Sequence, residues 1–306
     1  MPPTAAVEVG LKRVLVATDF SPSSEKAMHY ALALARAHGS KVYLAHVVSS
    51  LGFTIAEGDV MCMAQDVAAR DMSGLEEEWA RRGEFAGIAH ESVVCCGVVW
   101  EQLRQIVDCE HIDLLVMGTH GRTGLRKIVM GSVAEEVFRH AKYPVMTVGP
   151  SVSDTCAVSG RFQHILFPSN FKETSRNALL YAVELANQEH AQLTLLHVIS
   201  PMPVDETGIG WYVGSDLNLR REQARSTALE QMKAMLALAP ALLEKPELAV
   251  EFGFTAEEIM VTAAKRSADL ILMGVRAGRA DASHAPWSIA HQVVHEAHCP
   301  VLTVRH

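Results

Sequence analysis

Two short stretches of this chain carry residue types that could do chemistry. One runs from Gly118 to Ser132, GTHGRTGLRKIVMGS, with Gly118, Gly121 and Gly131-Ser132 at the spacing G-x2-G-x9-G-S. The other is Ala17-Thr18-Asp19, at the end of an apolar run. Glycine lets the backbone approach a ligand closely and reach positive φ. Successive N–H groups can then turn toward an anion. Gly131-Ser132 opens a predicted helix, whose first N–H groups and positive dipole end favour phosphate, and the Ser132 hydroxyl adds a hydrogen bond. Asp19 can accept from sugar hydroxyls, as acidic residues do in other doubly wound folds. Backbone around Ala17 and Val47 would flank a base. The chemistry that fits is polyphosphate binding. Each residue also has a plainer reading. Glycines are common in such loops, Ser132 and the Asp19–Ser21 segment suit helix capping, and Arg122, Arg126 and Lys127 suit a solvated loop as well as a phosphate. Residue by residue, both readings stay open.

Other chemistries find less support. No GxxxxGK[ST] loop occurs, and no GxGxxG opens a helix after the first strand. No G-x-S-x-G elbow is present, so a Ser/His/Asp triad cannot be assembled. His291 and His295 are four apart on a predicted helix, with His284, His298 and Cys299 nearby. That pair has zinc spacing, but no HExxH pattern accompanies it, and His298 lies about 70° or more round the helix. No metal ligand is expected. His46 and His197 end equivalent strands, where a backbone-bonded histidine at the core rim is the expectation rather than catalysis. No catalytic residue is expected.

The elements that must position these stretches come twice. Arg13–Ser49 lies over His164–Ser200 at a shift of 151 positions without a gap, matching Leu15 with Leu166, Phe20 with Phe171, Tyr30 with Tyr181 and His46 with His197. A later stretch matches at a shift of 156, placing Gly97 on Gly253, Gly118 on Gly274 and Ser132 on Ser288. The chain is one unit written twice. The join, near Ser153–Ser159, is small and polar, which predicts domains at 1–152 and 160–306. Within the first unit, RVLVAT reads as a strand. Ser21-Pro22 starts a helix that Gly39 ends. KVYLAHVV follows as a strand, then a polar helix around Asp66–Arg82, HESVVCCG, a helix around Trp100–Cys109, DLLVMG, a helix near Ser132–His140, and PVMTVG. Alternating strands and helices with apolar strands predict an α/β fold, a parallel sheet covered on both faces.

Composition narrows the class. The chain has 306 residues, 49% hydrophobic and 20% charged, with a net charge of −8. That is long enough for two buried cores and too acidic for a general nucleic-acid binder. The six cysteines form no CxxC pair, which predicts reduced thiols in a cytoplasmic protein. Neither a signal peptide nor an apolar run long enough for a membrane span is expected.

The strand end VATDFSPSSEKA, the second-strand end AHVV and the loop GTHGRTGLRKIVMGS together resemble the universal stress proteins, in a tandem arrangement covering about Leu11 to Arg305. The spacing G-x2-G-x9-G-[ST] is that family's ATP-binding signature. The resemblance implies two doubly wound domains, each a five-stranded parallel sheet in the order 3-2-1-4-5, with the fifth strands paired between domains. It implies that Ala17, Thr18, Asp19 and Val47 hold adenine and ribose, and that Met117, Gly118, Gly121, Gly131, Ser132 and Val133 hold the phosphates of ATP, with magnesium offsetting their charge. The second unit departs from the pattern. Asn170 replaces Asp19, Ala277 replaces Gly121, and Trp287 replaces Gly131, putting an indole where a phosphate would sit. The expectation is an ATP-binding regulatory protein in the stress response, not an enzyme, with nucleotide in the first domain. Its outer faces leave room for a homodimer. The alternatives are a slow ATPase or self-phosphorylating enzyme, and an interaction scaffold without nucleotide.

Overall fold

The computed structural model describes residues 9–50, 58–120, 130–153, 160–200, 214–276 and 288–305. The first half contains β1 (Arg13–Ala17), α1 (Pro22–His38), β2 (Lys41–Ser49), α2 (Gly58–Arg81), β3 (His90–Gly97), α3 (Val99–Glu110), β4 (Leu114–Gly118), α4 (Ser132–His140) and β5 (Val145–Val148). The second repeats that order with β6 (His164–Pro168), α5 (Glu173–Glu189), β7 (Gln192–Ile199), α6 (Gly214–Leu236), β8 (Glu247–Phe252), α7 (Thr255–Lys265), β9 (Leu270–Gly274), α8 (Ile289–Glu296) and β10 (Val301–Val304). Each half is a parallel sheet in the expected order, and the two form one ten-stranded sheet, β3-β2-β1-β4-β5-β10-β9-β6-β7-β8.

Local signals explain the element ends. The Ser21 side chain caps α1 by accepting from Ser24 N, and Gly39 closes the helix in the left-handed region at φ 66°. Asp113 fixes the entry to β1, because its Oδ2 accepts from the N–H groups of both Lys12 and Arg13 at 2.8 Å. Asp269 repeats this in the second half with Gln163 N and His164 N. One helix departs from expectation: α2 begins at Gly58 rather than near Asp66. Nothing between Asp59 and Asp66 breaks a helix, and the turn's outward Val60 and Met63 are exposed, which hides the amphipathic start.

Two apolar layers sandwich the sheet, and each runs through both halves. One holds Val14 and Val16 of β1 with α1, α2, α5 and α6; the other holds Leu15 with α3, α4, α7 and α8. Alternate residues of each strand serve opposite layers. The seam is the antiparallel pair β5–β10, with Leu302 opposite Met146. Thr147 Oγ1 donates to Val301 O at 3.2 Å, and Thr303 Oγ1 donates to Val145 O at 3.3 Å. Buried Arg305 reaches across to donate to Ala141 O at 2.7 Å and lies over the Phe138 ring. Burial pushes its guanidinium down to about 10. On the opposite layer, His38 of α1 approaches Glu189 of α5 to 2.9 Å.

Because the layer containing Leu302 is continuous, Leu302→Ala is expected to cost about 2–5 kcal/mol and to weaken both halves together. Urea unfolding followed by circular dichroism and by tryptophan fluorescence should give one shared transition at lower urea. Two transitions, with only one moved, would show that the seam does not couple the halves.

Candidate functional site

In an open parallel sheet, ligands sit outside the carboxyl ends of the strands, where the strand order reverses. The reversal in the first half falls between β1 and β4. A cavity of about 320 Å³ opens there, within the size range of small-molecule sites. Its lining includes Ala17, Thr18 and Asp19 after β1, Val47 from β2, Met117 and Gly118 from β4, and Gly131, Ser132 and Val133 at the start of α4. Gly121 lies outside the described residues, as do Arg122, Arg126, Lys127, Ala277, His284 and Trp287.

The turn after β1 is set by side-chain-to-backbone bonds. Thr18 Oγ1 accepts from Phe20 N at 3.0 Å, and Asp19 Oδ1 accepts from Ser21 N at 3.1 Å. These bonds hold Phe20 at φ 62°, a left-handed conformation that costs a bulky residue about 1–2 kcal/mol. The strain turns the phenyl ring onto His46, 4.5 Å away centre to centre. His46 Nδ1 is 2.8 Å from Thr18 O, so this histidine is a backbone-bonded rim residue. The second half repeats every part of this turn: Phe171 at φ 62°, its N–H on Ser169 Oγ, its ring against His197, and His197 Nδ1 2.8 Å from Ser169 O.

Gly118 needs a correction. It was expected to supply positive φ, but it is not among the positive-φ glycines. A Cβ there would come within 2.9 Å of the Ser23 backbone, and one at Gly274 within 2.4 Å of Thr174 O. Glycine is required at both places because the strand end packs against the start of α1 or α5, whatever the ligand.

The start of α4 shows the opposite pattern. Gly131 is its N-cap and no side chain caps the helix, while Ser132 is its first helical residue and not the cap. Among the described residues no side chain bonds the first-turn N–H groups beside the cavity, the arrangement that receives an anion. In α8 the equivalent serine has moved out one place. Ser288 is the N-cap, and its Oγ accepts from His291 N at 3.2 Å. Among the described residues, the helix start that lacks a side-chain cap in the first half has one in the second.

His120 also lines the cavity, a position that the loop spacing did not single out. Its Nδ1 lies 2.9 Å from Thr119 Oγ1, and fully buried Thr119 is itself anchored, with its N–H on Val148 O and its carbonyl accepting from Gly131 N. The His120 ring meets His295 of α8 across the seam, 5.2 Å between centres, and both buried Nε2 atoms lack a hydrogen-bond partner among the described residues. Burial, then the neighbouring His295, pushes His120 below its usual 6.5. His291 is pushed down as well, with burial again the largest cause, and it meets the Phe138 ring edge-on. Among the described residues no group of three or more His, Cys, Asp or Glu could hold a metal ion.

Both halves of the chain match the model of the universal stress protein family, over residues 10–149 and 161–305. A universal stress protein of Methanocaldococcus jannaschii is 27% identical over 159 residues, covering 46% of this chain and 97% of that protein. One from Mycolicibacterium smegmatis is 23% identical over 307 residues, covering 98% of each chain. The crystal structure of a universal stress protein from Archaeoglobus fulgidus superposes with a TM-score of 0.66 over 96% of this chain and 98% of that one, at 22% identity.

The lowered His120 and His291 carry a pH dependence. An unfolded histidine takes its proton near 6.5, whereas these folded ones take it only at lower pH. Below about 6.5 the unfolded chain thus binds more protons, and stability falls as pH drops. A chemical-shift titration should place the His120 midpoint below 6.5. His120→Gln should flatten the acid limb of a plot of melting temperature against pH, and an unchanged limb would assign that limb elsewhere.

Proposed function

The chain belongs to the universal stress protein family, and on that premise we propose that its first half binds ATP in a regulatory role. The observation that carries the reading is the open start of α4 facing Asp19 across one cavity. In this reading the N–H groups at the start of α4 hold the phosphates. The Ser132 hydroxyl adds one bond. Asp19 accepts from ribose, and the apolar side chains of Ala17, Val47 and Val133 enclose the base. Magnesium would offset phosphate charge.

Hydrolysis is slow or absent in this reading. Among the described residues, the side chains lining the cavity at the start of α4 are the hydroxyls of Thr119 and Ser132, with His120 packed against His295 of the second half. The mechanism is linkage: nucleotide that prefers one arrangement of the chain shifts the population toward it. The free thiols Cys62, Cys95, Cys96 and Cys109 suit a reducing cytoplasm. Among the described residues no helix is long and apolar enough to cross a membrane. A second copy of the chain can dock on the outer faces to form a homodimer.

Replacing Gly131 by Trp puts in the first half the residue that the second already carries at Trp287. Gly131→Trp is expected to weaken ATP binding at least about a hundredfold, roughly 2.7 kcal/mol, with the circular dichroism spectrum unchanged. Unchanged affinity would remove the phosphate site from α4. Calorimetric titration of the unaltered chain should give one ATP per chain, and a stoichiometry of two would overturn the asymmetry. Turnover with magnesium, normalised to bound nucleotide, tests the enzyme alternative. Rapid turnover would establish it.

A further inference from the structure

The described linings of the two cavities differ in charge. The second half has a cavity of about 570 Å³ at the same place in its sheet. Where the first half has Asp19, Ser21 and His120, the second has Asn170, Lys172 and Arg276. All three changes add positive charge, in a chain whose net charge is −8. The described lining of the first cavity contains a carboxylate and neither Lys nor Arg. That of the second contains Lys172 and Arg276 and no carboxylate. Both cations are exposed, and neither forms an ion pair among the described residues.

Lys172 occupies a place that local physics disfavours. It is the N-cap of α5 and makes no capping bond. Ser, Thr, Asp and Asn are preferred there, and a positive charge faces the positive end of the helix dipole. The equivalent Ser21 caps α1 in the ordinary way. Local rules are expected to fail at functional or strained sites. Asn170 keeps the turn bond of Asp19, its Oδ1 accepting from Lys172 N at 3.1 Å, and adds one from Ser175 Oγ at 2.8 Å, while the carboxylate charge is gone. Two hydroxyls complete the polar side, Ser200 Oγ and Thr255 Oγ1, 3.0 Å apart, with Thr255 standing where the first half has Val99.

We propose that the second cavity is an anion site: it takes a small molecule bearing clustered phosphate or carboxylate groups, held between Lys172 and Arg276, and it does not select for ribose. This goes beyond nucleotide binding in the first half and does not depend on it.

Pyrophosphate and citrate serve as separate calorimetric probes on the full chain at about 0.15 M salt, where remote surface charges are screened. The expected result is one saturable site for at least one probe, and which probe binds tells phosphate from carboxylate chemistry. The Lys172→Glu, Arg276→Glu double variant should weaken that site at least about tenfold, and Gly131→Trp should leave it intact. A glutamate at the start of α5 suits the helix dipole, so Lys172→Glu alone should not lower the melting temperature. The Lys172→Gln, Arg276→Gln variant gives the same comparison without charge reversal. Saturable binding of neither probe would overturn the proposal. So would binding that survives both double variants. Binding lost in Gly131→Trp but kept in the double variants would assign the anion to the first cavity and overturn it equally.

Discussion

The antiparallel pairing of β5 with β10 is the constraint on which the rest of the structure depends. A parallel sheet of five strands ends in an apolar edge, and an open edge of that kind invites aggregation. Joining two such edges removes both and fuses two sheets into one. The pairing requires a pseudo-two-fold relation between the halves. The apolar layers on both faces then become continuous, α1 meets α5, and α4 meets α8. Each half thereby brings side chains to the other's site. His295 of α8 reaches His120 at the rim of the first cavity, and Phe138 of α4 lines the second. The second cavity thus borrows from the first repeat, and the first is backed by the second through His120.

Within that frame, the repeats separate what the fold needs from what a ligand needs. Gly118 and Gly274 are retained because a Cβ would strike the backbone of α1 or α5. The strained Phe20 and Phe171 are retained with their histidines, which shape the rim in both halves. Features tied to a bound molecule are free to diverge, and they do. The uncapped start of α4 gives way to the self-capped start of α8, and the Asp19 carboxylate gives way to the uncharged Asn170 amide.

The histidines at the seam sit where this coupling is tightest. His120 is fixed on one side by Thr119, which is itself tied to β5 and to the start of α4. On the other side it meets the second half. A change in the first cavity thus has a short physical route to α8, through packed rings and two backbone bonds. That route also runs the other way, because coupling between sites is reciprocal.

The fold was legible in the sequence because it rests on local, repeated signals. Apolar runs marked the strands, Ser21-Pro22 and Gly39 marked α1, and the duplication at a shift of 151 showed that the pattern occurs twice. The residues lining the first cavity were legible too, since a doubly wound sheet brings the ends of β1 and β4 together whatever the details. Three matters were not legible. Gly118 lines the cavity, but the packing that also requires glycine there shows only in its distance to Ser23. Ser132 and Ser288 align in sequence, yet one is the first helical residue and the other a cap, because helix starts are settled by which N–H finds a partner. His120 carried no signal beyond its place in a glycine-rich loop, because its surroundings come from His295, far along the chain. The sequence by itself determined the elements, their order and the location of the cavity, which follow from spacing along one chain. Tertiary structure alone decided which polar groups are capped, buried or met by the other half, because those depend on contacts between residues far apart in sequence.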